Sequence, residues 1–493
     1  MSDSSKMRLQ VTSAVLVAFA LRFYFIWRFP FYDAGDTPIY QELAHNWLAH
    51  GVYGLKIFGH ISAVDMRAPG YVAFLAAIYS VFGESTRAVM IAQAAVDVLA
   101  CLVVAAMAAV LAPRTVRSRV AIVALWMAAI CPFTSNYTAV VLTETLATFL
   151  TALALLVLVE AFREERLGPA LSPASSGMPA GMRWFLGGIV VGFGTLVRPE
   201  APLILAAAGA VLVFLCWRPA NWPKLARVGI LIAVGLILPL LPWAARNWRV
   251  LHKVQFLAPR YSELPGEFTP HGFFSWEKTW LWRFRDVFLV SWNLNGAEIH
   301  LEDLPAAAFD SPAQRSRVAA LLDQYNDTME MSPPLDQQFA QIAQERTKQH
   351  PLRTYVKVPL LRALAMWFTP RVEMLPLSGK LWPVGYWWED SPSQYCYSMT
   401  LFLMGIAYGV MALGGAWRSR KDPAAMMLVA FIVIRTAFLT TMETPEPRYV
   451  LECFPAVFAL GAQLWVKKSA EPASTASELI PIPHRGSDPR TLS

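Results

Sequence analysis

The stretch RAVMIAQAAVDVLACLVVAAMAAVL (residues 87–111) is followed at once by APRTVRSR (residues 112–119). About 20 apolar residues suffice for a helix to cross roughly 30 Å of hydrocarbon. The run is long enough to span a bilayer, and the arginines behind it mark the cytoplasmic end of that span. Comparable runs lie on both sides, at 9–27, 120–130, 139–162, 184–197, 201–217, 228–243, 399–416, 424–439 and 449–466. They predict an all-α polytopic membrane protein with ten to thirteen transmembrane helices.

Composition agrees. Of 493 residues, 56% are apolar and 16% charged, with a mean hydropathy of +0.41, whereas soluble domains carry about 25% charged residues. The net charge of +7 does not indicate nucleic acid, because the basic residues sit in short clusters beside apolar runs. Cys101, Cys131, Cys216, Cys396 and Cys453 are widely spaced, form no CxxC pair, and read as core residues. The run at 9–27 is long for a signal-peptide core and lacks a small-residue cleavage pattern, so it reads as a retained first span.

Loop charge then orders the chain. Lys6 and Arg8 put the N-terminus in the cytoplasm. The run 71–82 is too short to cross and reads as re-entrant or interfacial. With that segment non-spanning, five basic groups all fall inside: Arg114/Arg117/Arg119, Arg163/Arg166/Arg183, Arg218/Lys224/Arg227, Arg418/Arg420/Lys421 and Lys467/Lys468. The expected organisation is a transmembrane module at 1–245 with a first outer loop at 28–70, then an extracytoplasmic region at 246–396. That region holds helical patterns at 313–325 and 335–349, and a segment at 353–369 that either re-enters or crosses. Spans at 397–467 and a cytoplasmic tail without fixed structure at 468–493 complete it.

On this map the unusual polar groups gather on the outer face. Asp36, Tyr40 and Arg67 lie in the first outer loop, Glu144 begins a span, and Arg198-Pro199-Glu200 forms a hinge. Arg246 and Asn247 end another span in PWAARNW, and Glu443, Glu446, Arg448, Tyr449 and Glu452 surround the last outer turn. Ionisable residues at membrane depth are expensive, so several on one leaflet suggest a site. Singly, each arginine also reads as an interface anchor with its head in the headgroups. His45 and His50 have no evident third partner for a metal.

Together these motifs resemble the GT-C superfamily of membrane glycosyltransferases, particularly glycosyltransferase family 39, which includes protein O-mannosyltransferases and aminoarabinose transferases. The likeness lies in Gly35-Asp36-Thr37-Pro38-Ile39-Tyr40 after the first span, and in Arg67-Ala68-Pro69-Gly70, where Ala68 replaces the first proline of a basic-Pro-Pro motif. Thr143-Glu144, Leu196-Val197-Arg198-Pro199, Pro242-Trp243 with Arg246-Asn247, and Glu446-Pro447-Arg448-Tyr449 continue it. The resemblance implies transfer of a sugar from a polyprenyl-phosphate donor to a cell-envelope acceptor, outside a bacterial inner membrane. Asp36 is then the general base. Tyr40, Arg67, Glu144, Arg198, Glu200, Arg246, Asn247, Arg448 and Tyr449 are the candidate substrate contacts. No cofactor is implied with certainty: Thr37 stands where an acidic pair with Asp36 would bind a divalent metal. The sugar, the acceptor and the oligomeric state stay open. A transporter or lipid-linked sugar flippase is the alternative, since both need charge and aromatic lining within the bilayer.

Overall fold

The computed structural model describes residues 3–32, 35–167, 178–259, 261 and 267–466; Lys467, Lys468 and the tail expected at 468–493 lie outside them. The chain begins with α1 (Asp3–Arg28), α2 (Thr37–His50), an antiparallel hairpin of β1 (Gly54–Ile57) and β2 (His60–Ala63), α3 (Pro69–Phe82) and α4 (Thr86–Leu111). Ser85 starts α4 by accepting the Ala88 N–H, which satisfies one of the amides left free at a helix start. At 14 residues, α3 rises only about 21 Å.

Next come α5 (Arg117–Ala129) and α6 (Pro132–Asn136), bent by 47° at the break between them. Pro132 has no N–H to continue the ladder. The Ala128 and Ala129 carbonyls near the break are taken by Arg22 at 3.3 and 2.7 Å. Arg22 is fully buried and pairs with Asp97 of α4 at 2.7 Å, so one ion pair binds α1, α4 and the bend.

The helix expected over 139–162 begins later, as α7 (Glu144–Leu167). Gln93 of α4 explains the delay: its side-chain amide donates to the Thr138 and Val140 carbonyls at 3.2 and 2.7 Å. Phe31 bridges Val140. Residues 140–143 are thereby held out of the helix, and Glu144 sits in its first turn.

Beyond α7 follow α8 (Ala180–Thr195), α9 (Leu203–Leu215), α10 (Trp222–Ile237) and α11 (Leu241–Leu251). Gly70 at the start of α3 donates its N–H to the Leu196 carbonyl at 2.6 Å. A Cβ at Gly70 would stand 2.6 Å from that same oxygen, so the approach of α3 to the α8–α9 hinge requires glycine.

The central region forms α12 (His271–Glu277), α13 (Phe284–Asp286), α14 (Pro312–Asn326) and α15 (Pro333–Gln349). Its separate apolar cluster is built around Phe273, Trp276, Trp280, Tyr325 and Phe339. Asp336 of α15 accepts the Gly272 and Phe273 N–H groups at 2.9 and 2.8 Å, tying α15 to the start of α12. After it, α16 (Val358–Trp367) is ten residues long and rises about 15 Å, too little for an upright crossing. Its buried Arg362 donates to the Leu281, Thr440 and Met442 carbonyls and so joins this unit to the turn at 440–442.

The chain closes with α17 (Val384–Asp390), α18 (Pro392–Arg418), α19 (Pro423–Leu439), a 3-10 segment Pro447–Cys453 and α20 (Phe454–Ala462). Every residue of α20 is buried, as expected of a helix apolar on all sides at the centre of a bundle.

The protein is an integral membrane protein built almost wholly of helices, the one hairpin aside among the described residues. Ser4–Arg28, Thr86–Leu111, Glu144–Glu164, Pro219–Leu251 and Pro392–Arg418 are long and apolar enough to cross a bilayer, and the bent pair around Pro132 adds a sixth if it is one span. Pro69–Phe82, Leu203–Leu215 and Pro423–Leu439 are shorter apolar helices. The ten to thirteen expected spans therefore include helices too short to cross upright.

Candidate active site

Asp36 stands at the N-cap of α2, but its side chain makes no capping bond. Its carboxylate instead accepts from Arg67 at 2.8 Å. Arg67 precedes α3 and is held by its own backbone: the Tyr53 hydroxyl donates to the Arg67 carbonyl at 2.9 Å. Tyr40, one turn into α2, packs edge-on against Tyr71 at 5.1 Å. Burial, with Asp36 close by, pushes its phenol up to about 12, so it stays a neutral donor at physiological pH.

A second group is centred on Arg198, in the α8–α9 hinge. Its Nε donates to Thr143 Oγ1 at 2.9 Å, Nη1 to Glu452 at 3.2 Å and Nη2 to Glu144 at 2.9 Å. Arg448 lies 3.5 Å from Glu144 and 2.6 Å from Glu446. Arg435, fully buried in α19, contacts Glu452 at 2.6 Å and Glu200 at 3.6 Å. The Tyr449 hydroxyl donates to Glu446 at 2.8 Å, and the Arg198 and Arg448 guanidiniums lie 5.5 and 5.4 Å from its ring centre. Three guanidiniums and four carboxylates thus share one network, which is how charge is tolerated where water is scarce. Glu144 Oε2 is buried without a hydrogen-bond partner.

Both groups face one cavity of about 510 Å³, whose wall includes Asp36, Tyr40, Arg67, Glu144, Arg198, Glu200, Arg448 and Tyr449. Eight of the ten residues singled out from sequence therefore meet there. Arg246 and Asn247 are not in its lining. Arg246 donates to the Val64 and Tyr53 carbonyls at 2.9 and 2.7 Å and holds the β hairpin against α11, while Asn247 is fully buried beside it and donates to the Gln255 carbonyl. Arg246 instead lines a second cavity of about 620 Å³, largely apolar, with Trp47, Ala73, Leu146, Phe193, Leu196 and Trp243 among its walls. Val197 belongs to the walls of both cavities.

Sequence reasoning left out Arg435. Its signal was a lone cation inside the apolar run 424–439, read there only as a span. His45 pairs with Glu84 at 2.5 Å, and its ring lies 6.1 Å from that of His50. Among the described residues no group of three or more His, Cys, Asp or Glu could hold a metal.

The helical frame and its charged cavity thus define a polytopic membrane protein with a polar site walled by its hinges and last turn. No protein-family model matches this chain, and no curated protein matches it. Among solved structures it is similar to the archaeal oligosaccharyltransferase AglB from Archaeoglobus fulgidus, in complex with an inhibitory peptide and a dolichol-phosphate: TM-score 0.48, 15% identity, 94% of this chain and 50% of that one covered. It is also similar to ArnT from Cupriavidus metallidurans bound to undecaprenyl phosphate, with TM-score 0.39, 15% identity, and 94% and 78% coverage. This chain spans about half the length of the archaeal chain.

Proposed function

We propose that the protein transfers a sugar from a polyprenyl-phosphate donor to a hydroxyl-bearing acceptor on the extracytoplasmic face of the membrane. The observation that carries this reading is the pairing of two cavities, one charged and one apolar, that share Val197 in their walls. A lipid-linked sugar phosphate needs both: a polar chamber for sugar and phosphate, and an apolar groove for the isoprenoid chain.

In this reading Asp36 accepts the acceptor's hydroxyl proton. The acceptor oxygen bonds to the anomeric carbon while the bond from that carbon to the phosphate oxygen breaks. The departing phosphate gains charge, which Arg67, Arg198 and Arg448 oppose from the cavity wall. Arg67 is already paired with Asp36 at 2.8 Å, so base and phosphate contact would be oriented by the same bond.

Purified protein in proteoliposomes, supplied with radiolabelled polyprenyl-phosphate sugars and cell-envelope acceptors, tests the reading. Label moving to the acceptor only when protein is present supports it. Movement of intact lipid-linked donor between leaflets, with no transfer, supports the flippase alternative instead.

A further inference from the structure

The stretch SGKLWPVGYWWED (residues 378–390) leads from the loop after α16 through α17 to the start of α18. Trp382, Val384, Tyr386 and Trp388 are all exposed, Trp382 at 80%, and α17 buries no residue. The segment nevertheless holds its own shape. The Lys380 ammonium lies 4.5 Å from the centre of the Trp387 ring, and the Trp387 indole donates to the Trp382 carbonyl at 3.2 Å.

Helical spacing sorts these residues. Val384, Trp387 and Trp388 stand at i, i+3 and i+4 and share one face of α17, while Glu389 and Asp390 turn to the other. An exposed apolar face of this kind needs an apolar medium. Chain connectivity supplies it. Only Ser391 separates α17 from α18, and Pro392–Arg418 is long and apolar enough to cross the bilayer, with the basic cluster that marks the cytoplasmic side at its far end. Trp388 packs edge-on against Tyr395, in the first turn of α18, at 6.1 Å. A second span ends at the same level. The Tyr24 and Tyr397 hydroxyls are hydrogen-bonded, each about 6–8 Å inside the outer end of its helix, and Trp27, near the end of α1, is 89% exposed. Tryptophan and tyrosine gather at such a depth because the ring sits among acyl carbons while its N–H or O–H reaches the headgroups.

We propose that α17 is an interfacial helix seated in the outer leaflet, with Val384, Trp387 and Trp388 among the lipid carbonyls and upper acyl carbons and with Glu389 and Asp390 in water. Its partner is the bilayer surface. Because the polar face is acidic, apolar burial and not attraction to anionic lipid holds it there. No residue of 378–390 lines the charged cavity or the apolar one beside it, so the assignment is independent of the transferase reading.

Val384→Cys, Trp388→Cys and Glu389→Cys are each made in a full-length Cys216→Ser, Cys396→Ser background, whose remaining cysteines are buried. All three positions are exposed, so the core is untouched. Each variant is labelled with a nitrobenzoxadiazole maleimide and reconstituted in dioleoyl phosphatidylcholine vesicles. Quenching is read with phosphatidylcholine carrying a nitroxide near the carbonyl end of an acyl chain, and separately with aqueous iodide. Labels at 384 and 388 should be quenched by the nitroxide lipid and be about fivefold less accessible to iodide than the label at 389. Equal iodide quenching at all three positions without nitroxide quenching would overturn the proposal, since the helix would then stand in water. Iodide protection at 384 and 388 without nitroxide quenching would overturn it as well, because an acceptor or a second copy of the chain would then cover the face.

Discussion

Arg198 and Glu452, 254 positions apart in the chain, meet at 3.2 Å with the Glu452 carboxylate almost fully buried. The same carboxylate oxygen receives Arg435 at 2.6 Å, so one acidic group joins the α8–α9 hinge, α19 and the turn before α20. Removing a single partner from such a buried pair leaves charge without compensation, at about 3–5 kcal/mol. Glu452→Ala should therefore destabilise the protein by that order, read as a lowered thermal midpoint in detergent. A midpoint within a degree of wild type would show that the network relaxes around the loss.

Lysine substitution separates Arg198 from Arg246. Arg198 uses all three guanidinium nitrogens on three different side chains, a geometry that an ammonium cannot reproduce. Arg198→Lys should lower turnover about a hundredfold in the transfer assay. Arg246 instead binds backbone carbonyls outside the charged cavity, and Arg246→Lys should lower thermal stability while changing turnover less than tenfold. Equal turnover losses in the two variants would place both at the reacting groups.

The apolar cavity offers a test through chain length. Ala73 lies in its wall with its side chain exposed, so Ala73→Phe adds bulk to the groove without overpacking the core. The variant should raise KM for a long polyprenyl-phosphate donor about tenfold and leave KM for a two-isoprene analogue unchanged. Equal effects on both donors would remove the isoprenoid chain from this groove.

Glu277 gives a pH dependence away from the charged cavity. It is fully buried in α12, accepts the Ser291 hydroxyl at 2.6 Å, and burial pushes its carboxyl up to about 8. With the folded value above the unfolded one, the folded state binds more proton between about pH 4.5 and 8, so stability falls as pH rises through that window. The thermal midpoint should drop from pH 5 to pH 8, and Glu277→Gln, which still accepts from Ser291, should flatten the slope. An unchanged slope in the variant would assign the dependence to other groups.

How much the sequence revealed differs by element. The helices expected at 313–325 and 335–349 are observed at Pro312–Asn326 and Pro333–Gln349, because polar helix-forming stretches bounded by Ser-Pro starts are legible locally. Glu144 begins α7 as expected, but the apolar run 139–162 extends ahead of the helix, because Val140, Val141 and Leu142 are as apolar in an extended segment as in a span. Only the distant Gln93 side chain decides between them. For the site, loop charge brought the motifs to one face, and eight of them line one cavity. Arg246 looked equivalent to Arg198 in sequence because both are arginines at span ends. What distinguishes them is the β hairpin, whose carbonyls at Tyr53 and Val64 claim Arg246 and whose fold no local pattern announced.

The central claim rests on Asp36 as the proton acceptor. The direct measurement is single-turnover transfer from a radiolabelled polyprenyl-phosphate sugar by wild type and by Asp36→Asn, with binding of polyprenyl phosphate measured on the same preparations. Asparagine keeps the side-chain shape but cannot take the proton, so the rate should fall by about 10²–10⁴ while lipid-phosphate binding stays within a few fold. An Asn variant that transfers sugar at close to the wild-type rate would contradict the account.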